Sequence, residues 1–160
     1  MKNRCTQDDD TNLTYTLNPR VIESRVGDAT NVKKTAVTYR LLPNTTVAEY
    51  GLVSKVEVFD SGLSTVIKRI ETDYNLSSVY TDKRIIGLPL ETRAWGKNDN
   101  TQNLEQVSKM TYGYDEENFS QESNQNITSV IKHDSAYSSS FIIGRGNLTS
   151  TTRHDVTGQT

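Results

Sequence analysis

The chain has 160 residues, 18 basic and 20 acidic side chains and a net charge of -2, with 33% apolar residues and a mean hydropathy of -0.65. That length suits one domain able to bury roughly two thirds of its unfolded surface, but the apolar share supplies only a thin core. No block of Lys or Arg is present, which disfavours phosphate-backbone binding and hence a nucleic-acid partner, and no apolar run approaches the ~20 residues of a membrane helix.

In chain order, residues 1–12 read as a polar, disordered lead-in. Met1-Lys2-Asn3-Arg4 is followed by Cys5, Thr6, Gln7 and three aspartates instead of an apolar stretch, so no signal peptide is expected. Asp8-Asp9-Asp10 lacks the alternate spacing and the glycine of a Ca2+ loop. Cys5 is the single cysteine, so no internal disulfide forms, and no metal-ligand spacing surrounds it. Neither a metal nor a cofactor is expected.

Residues 13–160 read as a β-hairpin region with polar loops near 97–106 and 120–126. Leu13 to Leu17 alternates apolar and polar groups up to Asn18-Pro19, and Val21 to Val26 runs to the turn signal Gly27-Asp28. Thr35 to Leu42 stops at Pro43-Asn44. Leu52 to Phe59 places Val56 and Val58 on one side and Lys55 and Glu57 on the other. Asp60-Ser61-Gly62 turns the chain back into Thr65–Tyr74, which predicts a hairpin over residues 52–74.

Val79 to Pro89 reads as extended, broken by Gly87 and Pro89. In the next strand Leu90, Thr92 and Ala94 share one face while Glu91, Arg93 and Trp95 share the other. Trp95, the only tryptophan, is either a ligand platform for sugar rings or a cross-strand packing residue. From Val107 to Tyr114, Tyr112 and Tyr114 share a face with Met110. Asp115-Glu116-Glu117-Asn118 ends that strand, and Ile127–Asp134, Ser135–Phe141 and Ile142–Gly146 continue the extended reading. No 3.6-residue periodicity occurs. The predicted class is all-β, built of successive antiparallel hairpins in an extended, curved repeat sheet.

Gly87-Leu88-Pro89 with Leu90–Gly96, then Tyr112-Gly113-Tyr114-Asp115, then a spacer with His133–Tyr137, then Gly144 to Gly158 form a succession that resembles the Rhs or YD-repeat proteins. Repeats of that family carry Tyr-Asp, two variable residues, Gly-Asn or Gly-Arg, and a short strand. Tyr114-Asp115 matches the Tyr-Asp pair, Gly146-Asn147 the turn, and His154-Asp155 with Gly158 a degenerate copy. After Asp115 the family's glycine is replaced by Glu116, Glu117 and Asn118, and in the last copy His154 stands for Tyr and Gln159 for Asn. The match covers roughly residues 35–160.

The resemblance implies a structural or encapsulating segment of a β-shell, toxin-associated or at the cell surface, secreted as part of a larger protein. Its partners would be further repeats or a protein pairing at the sheet edges. The stop at Gly158-Gln159-Thr160, midway through a repeat, carries the expectation of a truncated or split product. An alternative from a different class is a carbohydrate- or cell-surface-binding β-module built on Trp95 and the tyrosines.

Catalysis is not expected. His133-Asp134 and His154-Asp155 supply the residue types of a Ser-His-Asp relay, but adjacent residues on a strand point to opposite faces and no G-x-S-x-G elbow exists. The six N-x-[ST] sequons, at Asn12, Asn44, Asn75, Asn118, Asn126 and Asn147, follow from the Asn, Ser and Thr content and would be acceptors only in a eukaryotic secretory setting.

Overall fold

Opposed residues on paired antiparallel strands share a face, so period-2 alternation decides what each side of a sheet presents. In a computed structural model, which describes residues 1–8, 17–28, 31–43, 48–116 and 144–156, that alternation runs through one open sheet. Its strands are β1 (Lys2–Asp8), β2 (Leu17–Gly27), β3 (Val32–Leu41), β4 (Ala48–Phe59), β5 (Val66–Tyr74), β6 (Pro89–Lys97), β7 (Leu104–Tyr114) and β8 (Leu148–His154). All seven pairings are antiparallel, and the spatial order is the chain order, β1 to β8. One short helix, α1 (Ser78–Thr81), lies between β5 and β6. No described helix is long and apolar enough to cross a membrane.

Every pairing except β2–β3 contains a register shift. Such bulges bend a strand and increase local twist, so they curve the sheet without closing it.

The two faces differ sharply. Val37, Val56, Ile70 and Ala94 lie in register across β3 to β6 on one face. Thr92 and Met110 extend it into β7. The other face carries Lys55, Glu57, Arg69, Glu71, Arg93 and Lys109 in adjoining registers. Among the described residues there is one sheet layer, its apolar face stays half-buried, and Tyr80, 6% exposed, is their only buried apolar side chain.

Three expectations are corrected. Residues 2–8, read as part of a disordered lead-in, form β1. Lys2 to Cys5 are exposed on both faces, and side chains wet on both faces need no alternation, so that stretch carried no period to read. Residues 79–81, read as the start of an extended segment, belong to α1, because burying Tyr80 overrides the β preference of Val79, Tyr80 and Thr81. The loop near 97–106 narrows to residues 98–103, since Lys97 ends β6 and Leu104–Gln106 start β7; Asn98 N–H donates to Asn103 O at 2.8 Å and closes it. The hairpin over 52–74 forms as β4–β5, with Leu63 N–H donating to Asp60 O at 3.0 Å in the turn. Residues 120–126, His133-Asp134 and Gly158 lie outside the described residues.

Candidate functional site

Tyr114 ends β7 and places Asp115 at the point where the chain leaves the sheet. Asp115 adopts a φ of 52°, a left-handed conformation that costs a non-glycine residue energy. Its side chain supplies the compensation. Oδ2 accepts the backbone N–H of Gly144 at 3.0 Å, of Arg145 at 2.9 Å and of Gly146 at 2.9 Å, and Oδ1 accepts that of Asn147 at 3.0 Å. In return Asp115 N–H donates to Asn147 O at 3.0 Å.

Gly144 and Gly146 suit this clasp for two reasons. Their φ values are 78° and 76°, where glycine pays no Cβ penalty. A Cβ on Gly144 would also stand 2.8 Å from Val79 O, and one on Gly146 2.9 Å from Ile85 Cγ2. The clasp is thus covered by the segment around α1. Tyr80 packs edge-on against Tyr114, with ring centroids 6.4 Å apart, and its hydroxyl lies 3.4 Å from Tyr114 O. Tyr114 Oη donates to Pro89 O at 2.9 Å.

Desolvation pushes the Asp115 carboxyl up, yet it is outweighed by bonds from the Gly146 and Asn147 amides, the Tyr80 hydroxyl and the Arg145 amide. The net effect holds Asp115 below its ordinary value. The neighbouring Glu116 is also lowered, by the Ser150 and Thr149 hydroxyls. Thr149 Oγ1 donates to Glu116 Oε2 at 2.8 Å. Tyr80 itself is raised by desolvation and then by the Asp115 charge.

The second feature is an ion-pair ladder on the polar face. Lys55 meets Glu57 at 3.4 Å, Glu57 meets Arg69 at 2.8 Å, and Arg69 meets Glu71 at 3.9 Å. Arg93 continues it to Glu71 at 3.7 Å, Asp73 at 2.8 Å and Glu91 at 3.2 Å, and Glu91 meets Lys109 at 3.0 Å. The Arg93 Nε contact with Glu91 is an ion pair without hydrogen-bond alignment. Trp95 stands in this ladder, with the guanidinium carbons of Arg69 and Arg93 each 5.9 Å from its ring centre. Opposite it is Gln106, whose Nε2 is buried without a hydrogen-bond partner among the described residues.

The structure therefore brings Tyr114, Asp115, Gly146 and Asn147 into one clasp and leaves the other described candidates apart. Tyr112, on the apolar face, points its hydroxyl at Met110 Sδ, 4.0 Å away. His154, at the end of β8, lies 2.9 Å from Thr111 Oγ1 through Nε2, and Asp155 follows the strand. Trp95 is on the opposite face from Tyr112. Sequence reasoning missed Tyr80 and the ladder. The ladder's signal was charge at every second position in 55–57, 69–73 and 91–93. No group of three His, Cys, Asp or Glu side chains suited to a metal occurs among the described residues. A shallow recess of about 440 Å³ beside Lys2, Arg4, Glu23 and Arg25 is open to solvent.

No family model, curated protein or solved structure matches this chain.

Proposed function

We propose that this chain is a structural wall segment: a piece of hairpin-built β-sheet, of the Rhs or YD-repeat kind, that pairs with further strands at its edges and helps enclose or display a partner. The observation that carries this reading is the eight-strand meander in strict chain order, with β1 and β8 each paired on one side only among the described residues. Such a sheet extends by adding hairpins that touch mainly their neighbours, and an open edge presents unpaired backbone groups to another strand. The Tyr114-Asp115 clasp on Gly146-Asn147 lends support, because it gives the Tyr-Asp and Gly-Asn pairs a joint task in fixing a strand exit. Placement in a toxin-associated or cell-surface protein, secreted as part of a larger product, follows from the resemblance alone.

The test is light scattering of the purified chain over a concentration series, with far-UV circular dichroism. A β-rich species that associates supports the reading, and a sharply melting monomer at every concentration overturns it.

A second reading, carbohydrate binding at Trp95, rests on the unpartnered Gln106 Nε2 across from the indole. An indole stacks on apolar ring faces, and a nearby amide can bond a hydroxyl. Since Trp95 is the only tryptophan, its fluorescence reports directly: a saturable change with soluble polysaccharide supports this reading, and a flat titration removes it.

A further inference from the structure

The two edges of the sheet differ in which strand carries the inserted residues. Where β1 pairs with β2, Arg4 lies opposite Glu23 and Cys5 opposite Val21, so the extra residue, Ile22, belongs to β2. Between Thr6 and Asp8 the partners move from Arg20 to Leu17, which again places one residue more on β2. β1 itself runs from Lys2 to Asp8 with no insertion in this pairing. At the other edge Gly113 lies opposite Ser150 and Tyr114 opposite Leu148, so the extra residue, Thr149, is on β8. A bulge bends the strand that holds it and turns an edge away from a further neighbour. Among the described residues β1 has a neighbour on one side only, β2, and Lys2 to Cys5 are exposed.

From this asymmetry we infer that β1 is the pairing edge of the sheet, and that its partner is the β1 strand of a second copy, antiparallel about a two-fold axis normal to the sheet at Cys5. The inference rests on the reading of the sheet as a unit that pairs at its edges, and it names the edge, the strand and the register.

Charge complementarity within the strand argues for a second copy. β1 reads Lys2-Asn3-Arg4-Cys5-Thr6-Gln7-Asp8. An axis at Cys5 sets Lys2 opposite Asp8, Asn3 opposite Gln7 and Arg4 opposite Thr6, so all seven residues of the strand are paired. Opposite charges directly across two strands favour the pair, and like charges disfavour it. An axis at Asn3 would set Lys2 against Arg4, and an axis at Arg4 would set that residue against itself. An axis at Thr6 would leave Lys2 and Asn3 facing positions beyond the strand. Charges such as Lys2 and Arg4 deter indiscriminate addition to an edge, but they admit a strand that brings a carboxylate opposite Lys2. The resulting interface uses the same patch on both copies and closes at two.

The test uses the whole chain under reducing conditions, with mass read by sedimentation or light scattering over a concentration series and folding by circular dichroism. The expected result is a dimer whose dissociation constant rises at least about fivefold in Lys2→Asp, where aspartate faces Asp8, and also in Asp8→Lys, where lysine faces Lys2. Combining Lys2→Asp with Asp8→Lys only reverses the pair and restores the native constant within about twofold. Thr151→Lys, on β8, leaves it unchanged. As a second measurement, a short bifunctional thiol reagent links two native chains through Cys5. It does not link Asn3→Cys in a Cys5→Ser background, because the two copies of residue 3 stand roughly 14 Å apart in this register.

A dimer or larger assembly that is indifferent to Lys2→Asp, that the combined variant fails to restore, that Cys5 does not link or that Thr151→Lys weakens overturns the inference and leaves the wall-segment reading standing. A folded single chain at every concentration overturns both.

Discussion

Asp115 Oδ2 and the backbone nitrogen of Gly146 lie 2.9 Å apart, a bond that ties the first residue after β7 to the approach of β8 across 31 positions of sequence. The same carboxylate takes three more amides. Removing it strands those donors near a buried Gly144, and bonds to a charged acceptor are worth more than neutral ones. Asp115→Ala is expected to lower stability by about 2 kcal/mol, read as a lower urea midpoint with little change in slope. A loss within error would mean the clasp does not form.

Acid should loosen the clasp. The folded-state carboxyl of Asp115 is held below its ordinary value, so its contribution is fully present above the unfolded-state pKa. It is lost as pH falls through the folded value. Thermal midpoints between neutral and strongly acidic pH should therefore fall more steeply for the native chain than for Asp115→Asn. Parallel curves would assign the acid sensitivity to other carboxylates.

Tyr80 covers the clasp, so its substitutions should separate packing from polarity. Tyr80→Ala deletes a buried ring against Tyr114 and is expected to cost about 3 kcal/mol. Tyr80→Phe keeps the ring and loses the hydroxyl that faces Tyr114 O and the Asp115 carboxylate, costing about 1 kcal/mol. Equal losses in denaturant titrations would contradict this division.

The ladder gives a salt-dependent prediction. Arg93 contacts Glu71, Asp73 and Glu91 at once, but its side chain is 32% exposed, and single partly exposed pairs contribute little. Arg93→Ala should cost about 1 kcal/mol at low salt and less in high salt, where screening weakens the native network. A loss unchanged by salt would trace to packing on Trp95 instead.

The apolar face offers a test of the single layer. Ile70 is only half-buried, so Ile70→Ala should cost about 1 kcal/mol, well short of the ~2–5 kcal/mol of a fully enclosed side chain. A loss in the enclosed range would mean that a second layer covers this face in solution.

Much of the sheet was legible because one face of its central strands is apolar and the other charged. Val56 and Val58 against Lys55 and Glu57, or Ala94 against Arg93 and Trp95, show the period directly, and Asp60-Ser61-Gly62 marks the reversal. β1 was not legible because its residues Lys2 to Cys5 are exposed on both faces and impose no pattern. α1 was not legible because Val79, Tyr80 and Thr81 prefer strands, and only the tertiary burial of Tyr80 decides otherwise.

For the site, the Tyr-Asp and Gly-Asn pairs stood out singly, and an aspartate that accepts turn amides is a local expectation. That Asp115 reaches Gly144 to Asn147 depends on the β7–β8 register, which no local pattern encodes. The ladder has the same character. Its charges sit at visible alternate positions, yet which lysine or arginine meets which carboxylate follows from the pairing of β4 to β7.

The most direct measurement is amide hydrogen exchange of the whole chain, strand by strand, at low and high protein concentration. An open sheet predicts slow exchange in β4 to β6 at both, with β1 fast when dilute and protected when concentrated. Protection of β1 equal to that of β5 at every concentration would contradict an open edge and with it the account of this chain as a segment that pairs outward.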